Sequence, residues 1–313
     1  MTTKHERYRA VKRGRKIAVL FVGIVSFFSA LLSIYQWSSA PPEPNDIKFV
    51  EQDENSRPYI ISRNIVESSI VQSDVVISGN IKVPEEFVLV SNNVHFDEGA
   101  SIVAPQNSKI LIVAKDLYGG TVKSNGQAGD KGDDGLNGGE VIVVAAMVDG
   151  FSVQAMGGHG GDGVKGPDGA DGRDGRCDGF GGWRKANPGQ DGGPGGNAGA
   201  GGDGGIVRLY TPPNLHIDVQ VKGGAPGIPG APGKGGNGGR GCTGLGGSQA
   251  SRAPGRVGNA GAAALPGSDG VINRPNRSFV DIAERVQLEI KKGNYSYRQL
   301  LTAIEAQEDA GND

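Results

Sequence analysis

Residues 157–175 read GGHGGDGVKGPDGADGRDG, with glycine at every third position from Gly157 to Gly175. Shorter tracts over 126–138, 193–205 and 224–239 keep the same interval, and most of the 55 glycines of the chain lie between residues 119 and 270. A period of three fits neither an α-helix nor a β-strand. It is the period of a polyproline II helix, in which a glycine at every third residue leaves one edge without side chains. These tracts therefore predict extended segments whose backbones can touch.

Three arrangements of the glycine tracts are open. A collagen triple helix needs a long uninterrupted Gly-X-Y register rich in proline, whereas proline is sparse here and the register is reset several times. Disordered runs are the second alternative, although a linker has no reason to carry apolar pieces such as 141–146 and 206–211. We expect the third arrangement, an intrachain bundle of polyproline II segments joined by N–H···O bonds and Cα–H···O contacts.

Short apolar pieces, separated by Ser, Asn, Asp, Gly and Pro, follow one another over 59–118. Regularly spaced short strands are typical of a sandwich, a barrel or a coiled β-solenoid. Inside the glycine tract the order strand, turn, strand, glycine run recurs from residues 110, 141 and 206. Because such units can stack, we predict a mainly β fold: a β-solenoid-like stack of strands with a glycine-rich polyproline II bundle.

An apolar stretch over 17–36 carries no charged residue. At about 1.5 Å per residue it is long enough to cross a hydrocarbon core about 30 Å thick. Basic residues predominate in 1–16, so the positive-inside rule places the N-terminus in the cytoplasm. We therefore predict a single-pass protein of the inner (cytoplasmic) membrane whose bulk is periplasmic or extracellular. A cleaved signal peptide is the alternative, because Ser38 and Ala40 fit a small-residue cleavage site.

Both cysteines of the chain, Cys177 and Cys242, lie in glycine-rich loops at near-equivalent places of successive units. In an oxidising compartment such a pair favours a disulfide, and stacking of the units would bring the two positions together. We predict that the two cysteines are joined within one chain, with two free thiols as the alternative. A monomer is expected rather than a collagen-like trimer.

After residue 270 the sequence changes to apolar residues at helical spacing. Ser278 and Asp281 predict the start of a first helix, Gly293 its end, and Ser296 the start of a second helix. The two helices form a hairpin over 276–308 whose apolar faces either close the end of the stack or bind a partner. The candidate partner-binding residues are Phe279, Ile282, Val286, Ile290, Leu300, Leu301 and Ile304.

Little in the sequence points to catalysis. The histidines are scattered, and aspartates recur at non-glycine positions of the runs, where they indicate either a soluble surface or a carboxylate cluster. Residues 157–164 fit the calcium-binding template of β-roll repeats, but that motif works in tandem copies and occurs once here. We predict no cofactor, with calcium as the alternative. The formal net charge of −2, and the larger acidic excess after residue 16, argue against nucleic-acid binding.

The glycine runs resemble bacterial collagen-like and glycine-rich polyproline II repeat proteins, and residues 110–272 together resemble exported glycine-rich β-solenoids found in some surface adhesins. The resemblance implies an interaction or structural role and carries over no site residue. We therefore expect a membrane-anchored structural or recognition module without catalytic activity, binding an unidentified protein or glycan. A polysaccharide-acting β-solenoid enzyme and a collagen-like trimeric stalk or adhesin are the alternatives. The expected regions are a basic tail (1–16), a span (17–36), a linker (37–58), a β region (59–118), a glycine-rich region (119–272) and a helical hairpin (276–308).

Overall fold

The structure, a computed structural model, describes residues 48–50, 57–178, 182–275, 277 and 279–306. Within them a large sheet of seven parallel strands lies next to a small sheet of five parallel strands. In spatial order the large sheet contains Tyr59–Ile61 (β1), Ser69–Ile77 (β2), Glu86–Phe96 (β4), Lys109–Tyr118 (β6), Glu140–Asp149 (β8), Ile206–Tyr210 (β12) and Val271–Asn273 (β16). The small sheet contains Asp218–Gln220 (β13), Ser152–Gln154 (β9), Thr121–Lys123 (β7), Ser101–Val103 (β5) and Asn80–Lys82 (β3).

The large sheet is covered on both faces, as its near-continuous apolar strands require. In β6, Ile110 and Ile112 point into the core shared with the small sheet, while Leu111 and Val113 point into a second core beneath the helices. All four side chains are fully buried, and burying each one stabilises the fold by about 1.5–3 kcal/mol. The alternation of side chains along a strand thus divides one apolar run between two cores.

Two helices pack on the outer face of the large sheet: Phe279–Lys291 (α1) and Tyr297–Glu305 (α2). Ser296 caps α2 as predicted. Its side chain accepts a hydrogen bond from the backbone N–H of Gln299, and the Gln299 side chain accepts one from the backbone N–H of Ser296. Gly293 follows α1 with a φ of +81°, the left-handed conformation that ends helices. Ser278, the predicted cap of α1, lies outside the described residues.

The predicted membrane architecture is corrected. Residues 17–36 lie outside the described part of the chain, and within that part no helix is long and apolar enough to cross a bilayer. Helix α1 has 13 residues, which makes it about 20 Å long against a hydrocarbon core of about 30 Å. The prediction of a single-pass inner-membrane protein is therefore wrong. The described fold is mainly β, with parallel sheets and two short helices.

The predicted β-solenoid is not confirmed either. A solenoid repeats one coil length, whereas here the chain between neighbouring strands of the large sheet lengthens strongly along the sequence. Ser69 pairs with Val88, but Glu140 pairs with Ile206, because an entire glycine excursion is inserted between those two strands. The architecture is accordingly two parallel sheets with long insertions.

Six extended glycine segments form those insertions within the described residues. We number them in chain order: segment 1 (124–130), segment 2 (133–139), segment 3 (155–175), segment 4 (186–205), segment 5 (221–241) and segment 6 (250–270). Segments 1, 3 and 5 leave the strands of the small sheet, and segments 2, 4 and 6 lead back into the large sheet. Each sheet is therefore continued by a layer of three segments.

Backbone hydrogen bonds at every third residue join the segments within and between the two layers. Within a layer the neighbours run parallel, as where Gly160 N–H donates to the Ala225 carbonyl; between layers they run antiparallel, as where Gly196 N–H donates to the Val164 carbonyl. The interval of three is that of a polyproline II helix. All of these bonds lie within one chain.

Candidate functional site

Glycine lets the segments approach to backbone contact. A Cβ atom added at Gly160 would lie 2.1 Å from the Gly199 carbonyl oxygen, and one added at Gly199 would lie 1.8 Å from the Asp133 carbonyl oxygen. Real Cβ atoms do not approach so closely, so these positions exclude any side chain. The bundle is thereby held at a spacing set by backbone atoms, which makes it a stiff support.

The glycine pattern of segment 3 changes along its length, according to whether a further segment packs on it. Gly158 and Gly161 of segment 3 face the backbone of residues 127–132, and a Cβ there would meet that backbone. Beyond the turn at Lys131 this cover ends, and the next positions of the same row are Val164, Pro167 and Ala170, all exposed. In segment 3, a second glycine per triplet thus occurs where segment 1 packs.

Aspartate side chains complete the hydrogen bonding between parallel segments. Asp162, Asp168, Asp171 and Asp174 of segment 3 each accept from a backbone N–H of segment 5 that lies 66 residues later. His159 does the same through Nδ1, and Asn197 serves segment 6 at a separation of 65 residues. The carboxylates predicted as a soluble surface or a cluster therefore bind backbone N–H groups, and two residues of the calcium template, His159 and Asp162, are among them.

This bonding predicts a local effect of substitution. In the Asp171→Ala variant the backbone N–H of Asn237 loses its acceptor at 2.6 Å, and we expect its hydrogen exchange to accelerate about fivefold, as a bond of about 1 kcal/mol implies. The Asp171→Asn variant should exchange like the wild type, since an amide oxygen replaces the carboxylate, as Asn197 already shows. Equal exchange in all three proteins, measured by NMR, would contradict the assigned role.

Two hairpins close the far end of the bundle. Arg176–Asp178 (β10) pairs antiparallel with Gly182–Arg184 (β11), and Cys242–Gly244 (β14) pairs with Gly247–Gln249 (β15). The Cys177–Cys242 disulfide joins the hairpins across a sequence separation of 65, with Cα atoms 5.7 Å apart, so the predicted bridge is confirmed. It is consistent with an oxidising location.

Gln249 fastens the hairpins to the bundle. Its side-chain oxygen accepts from the Ala186 N–H at 2.9 Å, and its Nε2 donates to the Arg184 carbonyl at 2.7 Å. The Gly246 N–H donates to the Cys177 carbonyl, and a Cβ at Gly244 would lie 2.3 Å from the same oxygen. The hairpins are therefore fixed to each other by backbone contacts as well as by the disulfide.

We call residues 173–178, 182–186 and 240–252 the tip. It exposes two large apolar side chains: Trp183 is 53% exposed and Leu245 is 93% exposed. Both lie beside Cys177, since Trp183 is its strand partner and the glycines that flank Leu245 contact its carbonyl. Large apolar groups held open on braced loops are typical of binding surfaces. Sequence reasoning missed this surface, although the break in the glycine period at both cysteines marked it.

The predicted partner-binding residues of the helices lie elsewhere and face inwards. Phe279, Ile282, Val286, Ile290, Leu300 and Ile304 are buried in the core between the helices and the large sheet, and Leu301 packs against that core. At the edge of this core, Tyr297 donates to Glu140 at 2.9 Å, and burial with this carboxylate raises the pKa of Tyr297. The apolar helix faces are therefore used within the chain.

A cleft of about 360 Å³ at the edge of the small sheet is lined by Asp149, Ser152, His216 and Asp218, together with apolar residues. It brings together one histidine and two carboxylates that the sequence leaves scattered. Among the described residues, no group of three His, Cys, Asp or Glu side chains is placed to hold a metal ion. The cleft thus offers polar groups for a ligand at the end of the molecule opposite to the tip.

Comparison with protein-family models, with curated proteins and with solved structures found no match for this chain.

Proposed function

We propose that this chain is a non-enzymatic recognition module whose glycine bundle presents the tip to a protein or glycan partner. The observation that carries the proposal is the exposure of Trp183 and Leu245 on hairpins joined by the Cys177–Cys242 disulfide. Tryptophan is prominent among the residues that dominate binding energy, so an exposed Trp183 on a braced hairpin is suited to anchor a partner.

The support beneath the tip favours the same function. Ordering a loop on binding costs about 0.5–1.5 kcal/mol for each immobilised side chain, and a preorganised surface avoids part of that cost. Here Gln249 and the disulfide join the described strands of the two hairpins to each other and to the bundle before any ligand arrives. Glycine, serine, arginine and one tryptophan in the tip are also among the residue types that are enriched in antibody binding loops.

The test compares two double variants of the full chain on an array of purified glycans and peptides. We expect Trp183→Ala with Leu245→Ser to lose binding about tenfold or more, as the removal of an anchoring aromatic implies. Ile228→Ser with Val257→Ser, which removes apolar side chains 70% and 64% exposed on the bundle, should bind like the wild type. If only the bundle variant lost binding, the recognition surface would lie on the flat sides of the bundle and not at the tip.

One observation favours a second candidate, a polysaccharide-acting enzyme. The cleft beside the small sheet contains two carboxylates, Asp149 and Asp218, and paired carboxylates perform the acid–base steps of glycoside hydrolysis. The glycan mixtures of the binding test are therefore also assayed for new reducing ends. If the wild type released reducing ends, the chain would be an enzyme of this kind and the proposal of a non-enzymatic recognition module would be wrong.

A further inference from the structure

The tip differs in charge from the rest of the chain. It contains six basic residues against two acidic ones, whereas the whole chain has a formal net charge of −2. The six are all exposed: Arg173, Arg176, Arg184, Lys185, Arg240 and Arg252. A cationic end on an otherwise acidic molecule attracts anions to that end and repels them elsewhere.

Part of this charge is neutralised within the tip and part is directed outward. Arg176 forms an ion pair with Asp178, and both side chains stay about half exposed. Asp174, the other acidic residue, already accepts from the backbone N–H of Arg240. The nitrogen of Lys185 lies 5.6 Å from the centre of the Trp183 ring, so a positive charge and an aromatic surface form one unit.

The dimensions of the tip favour a polymer over a folded protein partner. Of its 24 residues, six are glycines, and Cys177 and Ala186 are buried, so 16 side chains are open to a partner, fewer than the about 20–30 residues per side of a stable protein–protein interface. A polyanion compensates for a small contact area because its charges are linked along one chain. Once one anionic group has bound, the effective concentration of its neighbours at the tip is raised. The indole surface of Trp183 suits the apolar C–H face of a sugar ring.

We propose that the tip binds a polysaccharide that bears carboxylate groups, with the arginine and lysine side chains pairing its carboxylates and Trp183 stacking on a sugar ring. The proposal rests on the tip being the recognition surface, and it names the chemistry of the ligand. Because the cations are exposed, the attraction is screened by salt, with a Debye length of about 8 Å at physiological ionic strength.

The experiment uses the full chain and polygalacturonate, with fully methyl-esterified polygalacturonate as the matched neutral polymer. We expect the acid form to bind and the ester to bind at least about tenfold more weakly. The affinity for the acid should fall as the salt concentration is raised. Lys185→Gln with Arg240→Gln should weaken binding of the acid about tenfold, since each lost charge pair is worth up to about 1 kcal/mol.

The matched control is Lys82→Gln with Lys123→Gln, which removes the same charge from the small sheet at the other end of the molecule. It should leave binding unchanged. Equal binding of acid and ester, no binding of the acid, or equal losses in the two double variants would each overturn the proposal. Equal binding of single-stranded DNA would show that any polyanion suffices and would also overturn it.

Failure of this proposal is distinguishable from failure of the recognition function. If Trp183→Ala with Leu245→Ser abolishes binding to a neutral glycan or to a peptide on the array, the tip is still the recognition surface and only the carboxylate chemistry is wrong. If those substitutions change no binding while the bundle-side variant does, both proposals are wrong.

Discussion

We expect the Gly230→Ala variant to lose about 3 kcal/mol or more of its free energy of unfolding, the upper range for overpacking in an interior. The added Cβ would lie 2.1 Å from the Val164 carbonyl oxygen and 2.8 Å from the Gly196 nitrogen. Both are backbone atoms of neighbouring segments, so no side chain can turn away to make room. The segments must separate, and the hydrogen bonds that Gly230 shares with Gly196 and Gly261 would weaken together.

Urea denaturation of the wild type and the variant measures this loss. The matched control is Gly182→Ala, because a Cβ at Gly182 would meet no atom within 4 Å and its backbone is not in the left-handed region. The control should unfold within about 0.5 kcal/mol of the wild type, as a substitution away from any packed contact does. A Gly230→Ala protein as stable as the control would show that the segments are not in backbone contact.

The second large effect concerns the disulfide. Removing it by Cys177→Ser with Cys242→Ser should lower the free energy of unfolding by about 4 kcal/mol, the chain-entropy value for a closed loop of this length. The separation of 65 residues makes the loop long, and all of segments 4 and 5 lie within it. The unfolded chain regains the freedom of all these residues when the bridge is absent.

A reducing agent provides the internal check for this prediction. It should lower the denaturation midpoint of the wild type to that of the double-serine variant and leave the variant itself unchanged. A wild type that unfolds identically with and without reductant would contradict the stabilising role of the bridge. In binding assays the double-serine variant should retain Trp183 and the tip charges, so any loss there reports the bracing of the hairpins.

Much of the β architecture could be predicted from apolar periodicity. The apolar pieces at 141–146 and 206–211 fall on strands β8 and β12, because a parallel strand buried on both faces needs a continuous apolar run. The apolar pattern of strand β4 is interrupted at its polar centre, residues 91–93, which alone would predict two shorter strands. The structure instead continues it through Asn92, whose amide oxygen accepts from the backbone of Phe49 and Val50. No local rule reveals a partner 43 residues away.

The candidate site was predictable only in part. The two cysteines occupied equivalent places in a repeat, which was sufficient to predict their bridge. The hairpins around them contain too few apolar residues to show strand periodicity, and the role of the aspartates depends on a register of 65 or 66 residues that local patterns do not encode. The helix faces left two alternatives open, because an amphipathic face looks alike whether it covers the chain's own sheet or a partner.

The fixed register between parallel segments limits how the molecule can change its length. Three residues added to segment 3 alone would displace every aspartate beyond them from its N–H partner in segment 5. Growth therefore requires one triplet in each of segments 3 to 6 at the same time. Each such round would move the tip outward by about 9 Å, three times the rise of a polyproline II residue. The distance between the sheets and the tip can therefore change only in steps of one triplet, and each step needs four coordinated insertions.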